Sequence, residues 1–172
     1  SLNWVNAENI TPNEDGVVYV YFGDSDENFN QTGDDGGPMV TIDWNDYEVD
    51  QVMSALGEYE NILGYEYRIT EDADEATFRL LKTESAEYGA YFFPQDPAYG
   101  DAQGVGVFNV LSGGWNLPGQ EALQQGGYAF AVVLHEFGHA HGVAHPHDTG
   151  GGSDVMVGVT GPSGSYGIFD LN

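Results

Sequence analysis

Residues 135 to 145 read His-Glu-Phe-Gly-His-Ala-His-Gly-Val-Ala-His, and all five histidines of the chain fall between 135 and 147. Two residues four apart on a helix share a face, one turn above the other. The spacing of His135 and His139 therefore asks for a helix. The preceding residues agree: Tyr128, Ala129, Phe130, Ala131, Val132, Val133 and Leu134 are apolar on every face, which suits a buried helix. Gly142 can end it, because glycine takes left-handed backbone angles at little cost. Pro146 then keeps the chain from resuming a helix. The chain must turn, and the turn lets His145 approach the same point from another direction.

This constrains the chemistry. Two neutral imidazoles one turn apart can hold one Zn²⁺ at about 2.0–2.1 Å each, and His145 supplies a third ligand. Three protein ligands leave the fourth position open, the mark of a catalytic rather than a structural zinc site. Glu136 points about 100° round the helix from His135. It is better placed to meet a zinc-activated water than the metal, and serves as general base before passing the proton to a leaving amine. The reaction implied is amide hydrolysis by direct water attack. Each fixed position of the long pattern H-E-x-x-H-x-x-G-x-x-H is present. A buried helix with satisfied core histidines would explain one histidine, and does not explain the whole set. His141 lies about 200° round the helix from His139, which assigns it a structural or surface role. His147 is a candidate for the rim of the site.

These residues resemble the metzincin metalloproteases, and among them the serralysins, secreted bacterial proteases with a calcium-binding repeat domain. His135-Glu-Phe-Gly-His139, His145-Pro146 with Asp148 behind it, and the run Thr149-Gly-Gly-Gly-Ser153 carry the likeness, supported by Tyr88-Gly-Ala-Tyr-Phe-Phe-Pro94 and Gly104-Val-Gly-Val-Phe-Asn109. The resemblance implies His135, His139 and His145 as zinc ligands, Glu136 as catalytic base and Gly142 as the turn glycine. It implies that Tyr88, Gly89, Ala90, Tyr91 and Phe92 form an edge strand that pairs with extended substrate. It also implies secretion, polypeptide substrates, and as further partners a proteinaceous protease inhibitor or the remaining C-terminal part of a longer parent chain. The family's Met-Ser-Tyr turn is missing. Met156, eleven residues after His145, is therefore read as a core or loop residue, with the chain 1–172 as one catalytic domain that stops short of the family's methionine turn and lacks the calcium-repeat domain. In the alternative, Met156 is itself that turn and the domain is complete and matrixin-like. A further alternative is a cleaved fragment that binds zinc without catalysing. Tyr166 does not stand in the motif that would give it an oxyanion role.

Charge narrows the partners. The chain has 28 acidic residues against Arg68, Arg79 and Lys82, for a net charge of −25. A surface of that sign repels phosphate, which excludes nucleic acid and anionic membranes as partners. Disorder would follow from the charge alone, but 41% of residues are hydrophobic and 13% aromatic. The carboxylates suit a solvated surface in salty surroundings, or Ca²⁺ sites. The start of the loop 23–38, Asp24-Ser-Asp26-Glu-Asn28, mimics a calcium loop, but Phe29 stands where such a loop needs glycine, so it is read as a surface loop with Ca²⁺ binding as the alternative. Cysteine is absent, which removes disulfides and thiolate ligands.

The remaining pattern predicts strands at 17–22, 65–70, 77–83, 88–93 and 105–110. An amphipathic helix spans 43–63, capped by Asp43 and ended by Gly64. On the strand at 65–70, Tyr65, Tyr67 and Ile69 share a face. The fold class expected is α+β: by resemblance, a metzincin-type twisted and mostly parallel sheet of about five strands with an antiparallel edge strand, backed by two long helices.

Overall fold

The computed structural model describes residues 8–115, 121–144, 159–161 and 164–166. Strands β1 (Val17–Phe22), β2 (Glu66–Ile69), β3 (Phe78–Thr83), β4 (Ala90–Phe92) and β5 (Val105–Asn109) form one sheet in the order β2-β1-β3-β5-β4. Every pairing is parallel except β4 with β5. Helix α1 (Asp46–Leu63) makes the crossover from β1 to its parallel neighbour β2, and α2 (Tyr128–Ala140) follows β5. A separate antiparallel hairpin joins β6 (Val159–Gly161) and β7 (Gly164–Tyr166). The fold is thus α+β, a five-stranded and mostly parallel sheet with an antiparallel edge strand and helices packed on it.

Both helices cover the same face of the sheet. Val18 and Val20 of β1, Phe78 and Leu80 of β3, and Phe108 of β5 point into a core shared with Val52 and Leu56 of α1 and Val133 and Phe137 of α2, all of them essentially inaccessible. Each such side chain contributes about 1.5–3 kcal/mol of burial. Phe137, inside the histidine motif, is the knob of α2. Its ring lies 5.9 Å from those of Phe78 and Phe92 and 6.3 Å from that of Phe108. Gly106 makes room for this packing: a Cβ there would come within 2.4 Å of the Phe92 ring. The other face carries a smaller cluster of Met39, Leu81, Val105 and Val107 with Phe29, Tyr88, Tyr91 and Phe93 packed against it, so part of the loop 23–41 acts as a lid on the sheet.

One expectation needs correction here. Helix α1 begins at Asp46, not Asp43, and its cap is Asn45. Asn45 Oδ1 accepts from the Glu48 amide at 2.9 Å, and Glu48 Oε2 accepts from the Asn45 amide at 2.9 Å, a reciprocal capping box. Asp43 instead accepts from the Ser25 amide at 2.7 Å, fastening the loop. Gly64 ends the helix at φ +73° as expected. On β2 only Tyr67 is buried; Ile69 is 51% exposed, because β2 is a short edge strand.

Glu48 is also the polar centre of the core. Besides capping α1 it pairs with Lys82 Nζ of β3, and its Oε1 accepts from Trp115 Nε1 at 2.9 Å. The side chains of Lys82 and Glu48 are only 5% and 2% exposed. Removing one partner of such a pair strands a buried charge, at a cost of about 3–5 kcal/mol. Lys82→Met is therefore expected to lose about that much stability in urea melts. Glu48→Gln combined with Lys82→Met is expected to lose less than the sum of the two single variants.

Candidate metal centre

Helix α2 presents two unlike faces. Phe137 and His141 lie about 200° and 240° round the axis from His135, while His139 is only about 40° from it. The first pair faces the sheet and α1. The second pair is displayed together: the His135 and His139 rings stand edge-on, centroids 4.5 Å apart, with their Nε2 atoms 3.0 Å apart. Two nitrogens bound at about 2.0–2.1 Å to one tetrahedral ion would be about 3.3 Å apart. The observed convergence is close to that of a chelating pair.

The tautomer of the neutral His139 ring follows from its second contact. Its Nδ1 lies 2.7 Å from the carbonyl oxygen of Val143. A carbonyl only accepts, so Nδ1 carries the proton, and Nε2 of the neutral ring keeps its lone pair. That is the tautomer in which a histidine ligates a metal, held by a backbone carbonyl behind it.

Val143 is in position because of how α2 ends. Gly142 takes φ +82°. Its amide donates to the His139 carbonyl at 2.8 Å, and the Val143 amide donates to the Gly138 carbonyl at 2.9 Å. These two bonds make a Schellman motif, which requires a left-handed residue at the glycine position. The turn that ends the helix thus also delivers the carbonyl that orients His139.

Glu136 is 5% exposed, and its Oε2 has no hydrogen-bond partner among the described residues. Burial pushes its carboxyl up to about 8. A buried carboxyl oxygen without a partner is costly, and ionisable groups perturbed by burial concentrate at functional sites. His141, by contrast, is fully engaged. It stacks on Tyr59 at 4.7 Å, and burial lowers its pKa.

The predicted edge strand is β4, three residues long rather than six. Asn109 N donates to Gly89 O and Phe93 N donates to Val105 O, both at 3.0 Å. In an antiparallel ladder hydrogen-bonded pairs alternate, so the N–H and C=O groups of Ala90 and Phe92 face away from β5. No described residue pairs with them. Tyr88 and Tyr91 pack into the cluster under the loop, and Phe92 packs on Phe137 of α2. Gly89 lies against Ser112.

His145, Pro146, His147, Asp148, the run 149–153 and Met156 lie outside the described residues; Tyr166 falls in β7. Among the described residues no group of three or more His, Cys, Asp or Glu side chains is gathered as a metal site. In the loop at Asp24–Asn28, Asp24 Oδ1 accepts from the Asp26 amide and Asn28 Oδ1 from the Asn30 amide, so those oxygens are turned toward their own backbone. Spacing in the sequence singles out His135, Glu136, His139 and Gly142, and the structure brings the first and third of these imidazoles together. Spacing does not single out Val143 or Tyr59, whose contributions are a backbone carbonyl and a contact between two helices. No local pattern reports either.

No family model matches this sequence, and no curated protein matches it. Among solved structures the chain is similar to that of myroilysin, with a TM-score of 0.48 and 18% sequence identity, over 85% of this chain and 53% of that one. The chain spans about half the length of that structure.

The Schellman turn yields a direct test. Gly142→Ala must hold an alanine at φ +82°, and is expected to lose about 1 kcal/mol in thermal or urea melts. Gly142→Asn, which tolerates that region better, is expected to lose less.

Proposed function

We propose that this chain is the catalytic part of a secreted, metzincin-like and more narrowly serralysin-like zinc endopeptidase. The observation that carries the reading is the pairing of converged imidazoles with a neighbouring buried carboxyl. The Nε2 atoms of His135 and His139 lie 3.0 Å apart, His139 is held in the ligating tautomer by Val143, and Glu136 Oε2 is buried with no hydrogen-bond partner among the described residues. This donor set suits zinc. Imidazole nitrogen is a preferred zinc ligand, and the chain offers no thiolate. His135 and His139 would hold the ion, with His145 as the proposed third ligand.

Bound there, zinc supplies Lewis acidity that polarises a carbonyl, and positive charge that lowers the pKa of water to about 7 and that of a nearby carboxyl. Glu136 then takes the proton of the attacking water and delivers it to the leaving amine nitrogen. The water oxygen bonds to the carbonyl carbon as the C–N bond breaks, and no acyl-enzyme forms. Burial of Glu136 suits it to take up the proton, because desolvation raises the proton affinity of its carboxyl. Val143 would hold the His139 ring in its tautomer throughout.

Substrate would lie extended along β4. The outward N–H and C=O groups of Ala90 and Phe92 offer backbone hydrogen bonds that do not depend on side-chain identity, which is what an endopeptidase of broad range requires. The charge of −25 leaves cationic and neutral polypeptides as the better substrates. Localisation outside the cell and any Ca²⁺ requirement remain parts of the same proposal.

Two measurements test it. Cleavage of a quenched fluorogenic peptide should be abolished by a chelator and restored by zinc, and Glu136→Gln should retain zinc while losing kcat by about 10²-fold or more. A Glu136→Gln variant of unchanged kcat would refute the assignment. Ala90→Pro removes one outward N–H without removing a ladder bond. It is expected to raise KM by about 2- to 10-fold, the worth of one hydrogen bond of ~0.5–1.5 kcal/mol, with little change in melting temperature.

A further inference from the structure

The imidazole of His141 joins three elements. Its Nδ1 lies 2.5 Å from the Phe137 carbonyl oxygen, which also accepts from the His141 amide at 3.1 Å. Nδ1 must therefore be the donor, and Nε2 of the neutral ring accepts from the Tyr67 hydroxyl of β2 at 2.7 Å. Tyr59 of α1 lies flat against the ring, planes 9° apart, and its own hydroxyl donates to the Leu134 carbonyl of α2 at 2.7 Å. Phe78 of β3 meets the ring edge-on at 5.5 Å. The last turn of α2 is thus bound to α1 and to the sheet through one side chain, placed where the helix gives way to the Gly142 turn.

We propose that His141 is a positioning residue for the metal centre: by locking the end of α2 against Tyr67 and Tyr59, it fixes the Val143 carbonyl that orients His139. The inference rests on the reading of His139 as a zinc ligand. The line of action is short. His141 occupies the C-cap, Gly142 follows it, and Val143 O meets His139 Nδ1 at 2.7 Å. An apolar residue at 141 would fill the space under Tyr59, yet leave the Tyr67 hydroxyl and one lone pair of Phe137 O unanswered. The turn could then shift without unfolding the helix, and with it the tautomer and aim of His139. Groups that hold a ligating histidine from behind typically govern metal affinity by about 10- to 100-fold.

The experiment compares the wild-type chain, His141→Leu and a core control, Val52→Ala, whose side chain is buried in α1 away from the turn. Zinc affinity is read by competition with a chromophoric chelator. Amide hydrogen exchange of Gly142 and Val143 is read on the metal-free proteins, where no ligand masks the turn. The expected result is a 10- to 100-fold weaker zinc affinity in His141→Leu with faster exchange at both amides, and a lower melting temperature in Val52→Ala with neither change. Wild-type zinc affinity in His141→Leu overturns the inference, whether or not exchange is faster. An equal loss of affinity in Val52→Ala also overturns it, because the effect would then be one of general stability. If the wild type binds no zinc while exchange is still accelerated in His141→Leu, the zinc reading fails and the hold on the turn stands. Should His141→Leu fail to fold, Tyr67→Phe, which loses only the hydroxyl, is read in the same way.

Discussion

The buried carboxylate of Glu48 ties the described structure together. It closes the first turn of α1, neutralises Lys82 in the middle of the sheet and accepts the indole N–H of Trp115 in the segment after β5. A charge taken so far out of water is tolerated only when its oxygens are fully used, and here three donors from three parts of the chain use them. The consequence reaches the other end of α1. Glu48, Val52, Leu56 and Tyr59 fall on one helical stripe, and Tyr59 sits eleven residues on, about 16 Å along the axis. With the start of α1 pinned to β3, Tyr59 is delivered against Leu134 and His141 of α2. The candidate metal centre thus inherits its frame from a polar contact at the far end of the neighbouring helix.

Helix α2 has to satisfy two demands at once. It must bury Phe137 and Val133 against the sheet, and it must hold two imidazoles and a carboxyl in a geometry that water alone would not favour. The 3.6-residue period reconciles them, because His135 and His139 fall on one side while Phe137 and His141 fall on the other. The three basic residues contribute to the frame rather than to a binding surface. Lys82 pairs with Glu48, Arg68 with Glu66, and Arg79 donates to the carbonyls of Asp101 and Gln103 while lying 5.0 Å over the Phe29 ring. Of these contacts the Lys82–Glu48 pair is buried, while the Arg68–Glu66 pair lies half-exposed.

Local signals in the sequence were legible; contacts between distant segments were not. The strand β1 was readable to the residue because six apolar β-formers stand between a turn and a glycine. The helix of the histidine motif was readable from i, i+4 spacing and from Gly142. The start of α1 was misjudged because Asp43 and Asn45 are both good caps, and the choice between them depends on Glu48 reaching back from the third helical position. The burial of Glu48 itself carried no local mark, since its cation lies 34 residues away on another element. Ile69 fits the strand alternation, yet lies on an edge strand and is half-exposed. His141 was correctly turned away from the imidazole pair by its helical phase, but its tyrosine partners come from α1 and β2, more than seventy residues earlier.

The proposed zinc site puts the ion on imidazole nitrogen of His135 and His139, beside the buried carboxyl of Glu136. X-ray absorption at the zinc edge of the zinc-loaded protein tests it most directly. The expected spectrum is that of one zinc per chain with three imidazole nitrogens and one further light atom at about 2.0–2.1 Å, with the loss of one imidazole in His139→Ala. A protein that retains no zinc, or one whose zinc has an all-oxygen shell unchanged in His139→Ala, would contradict it.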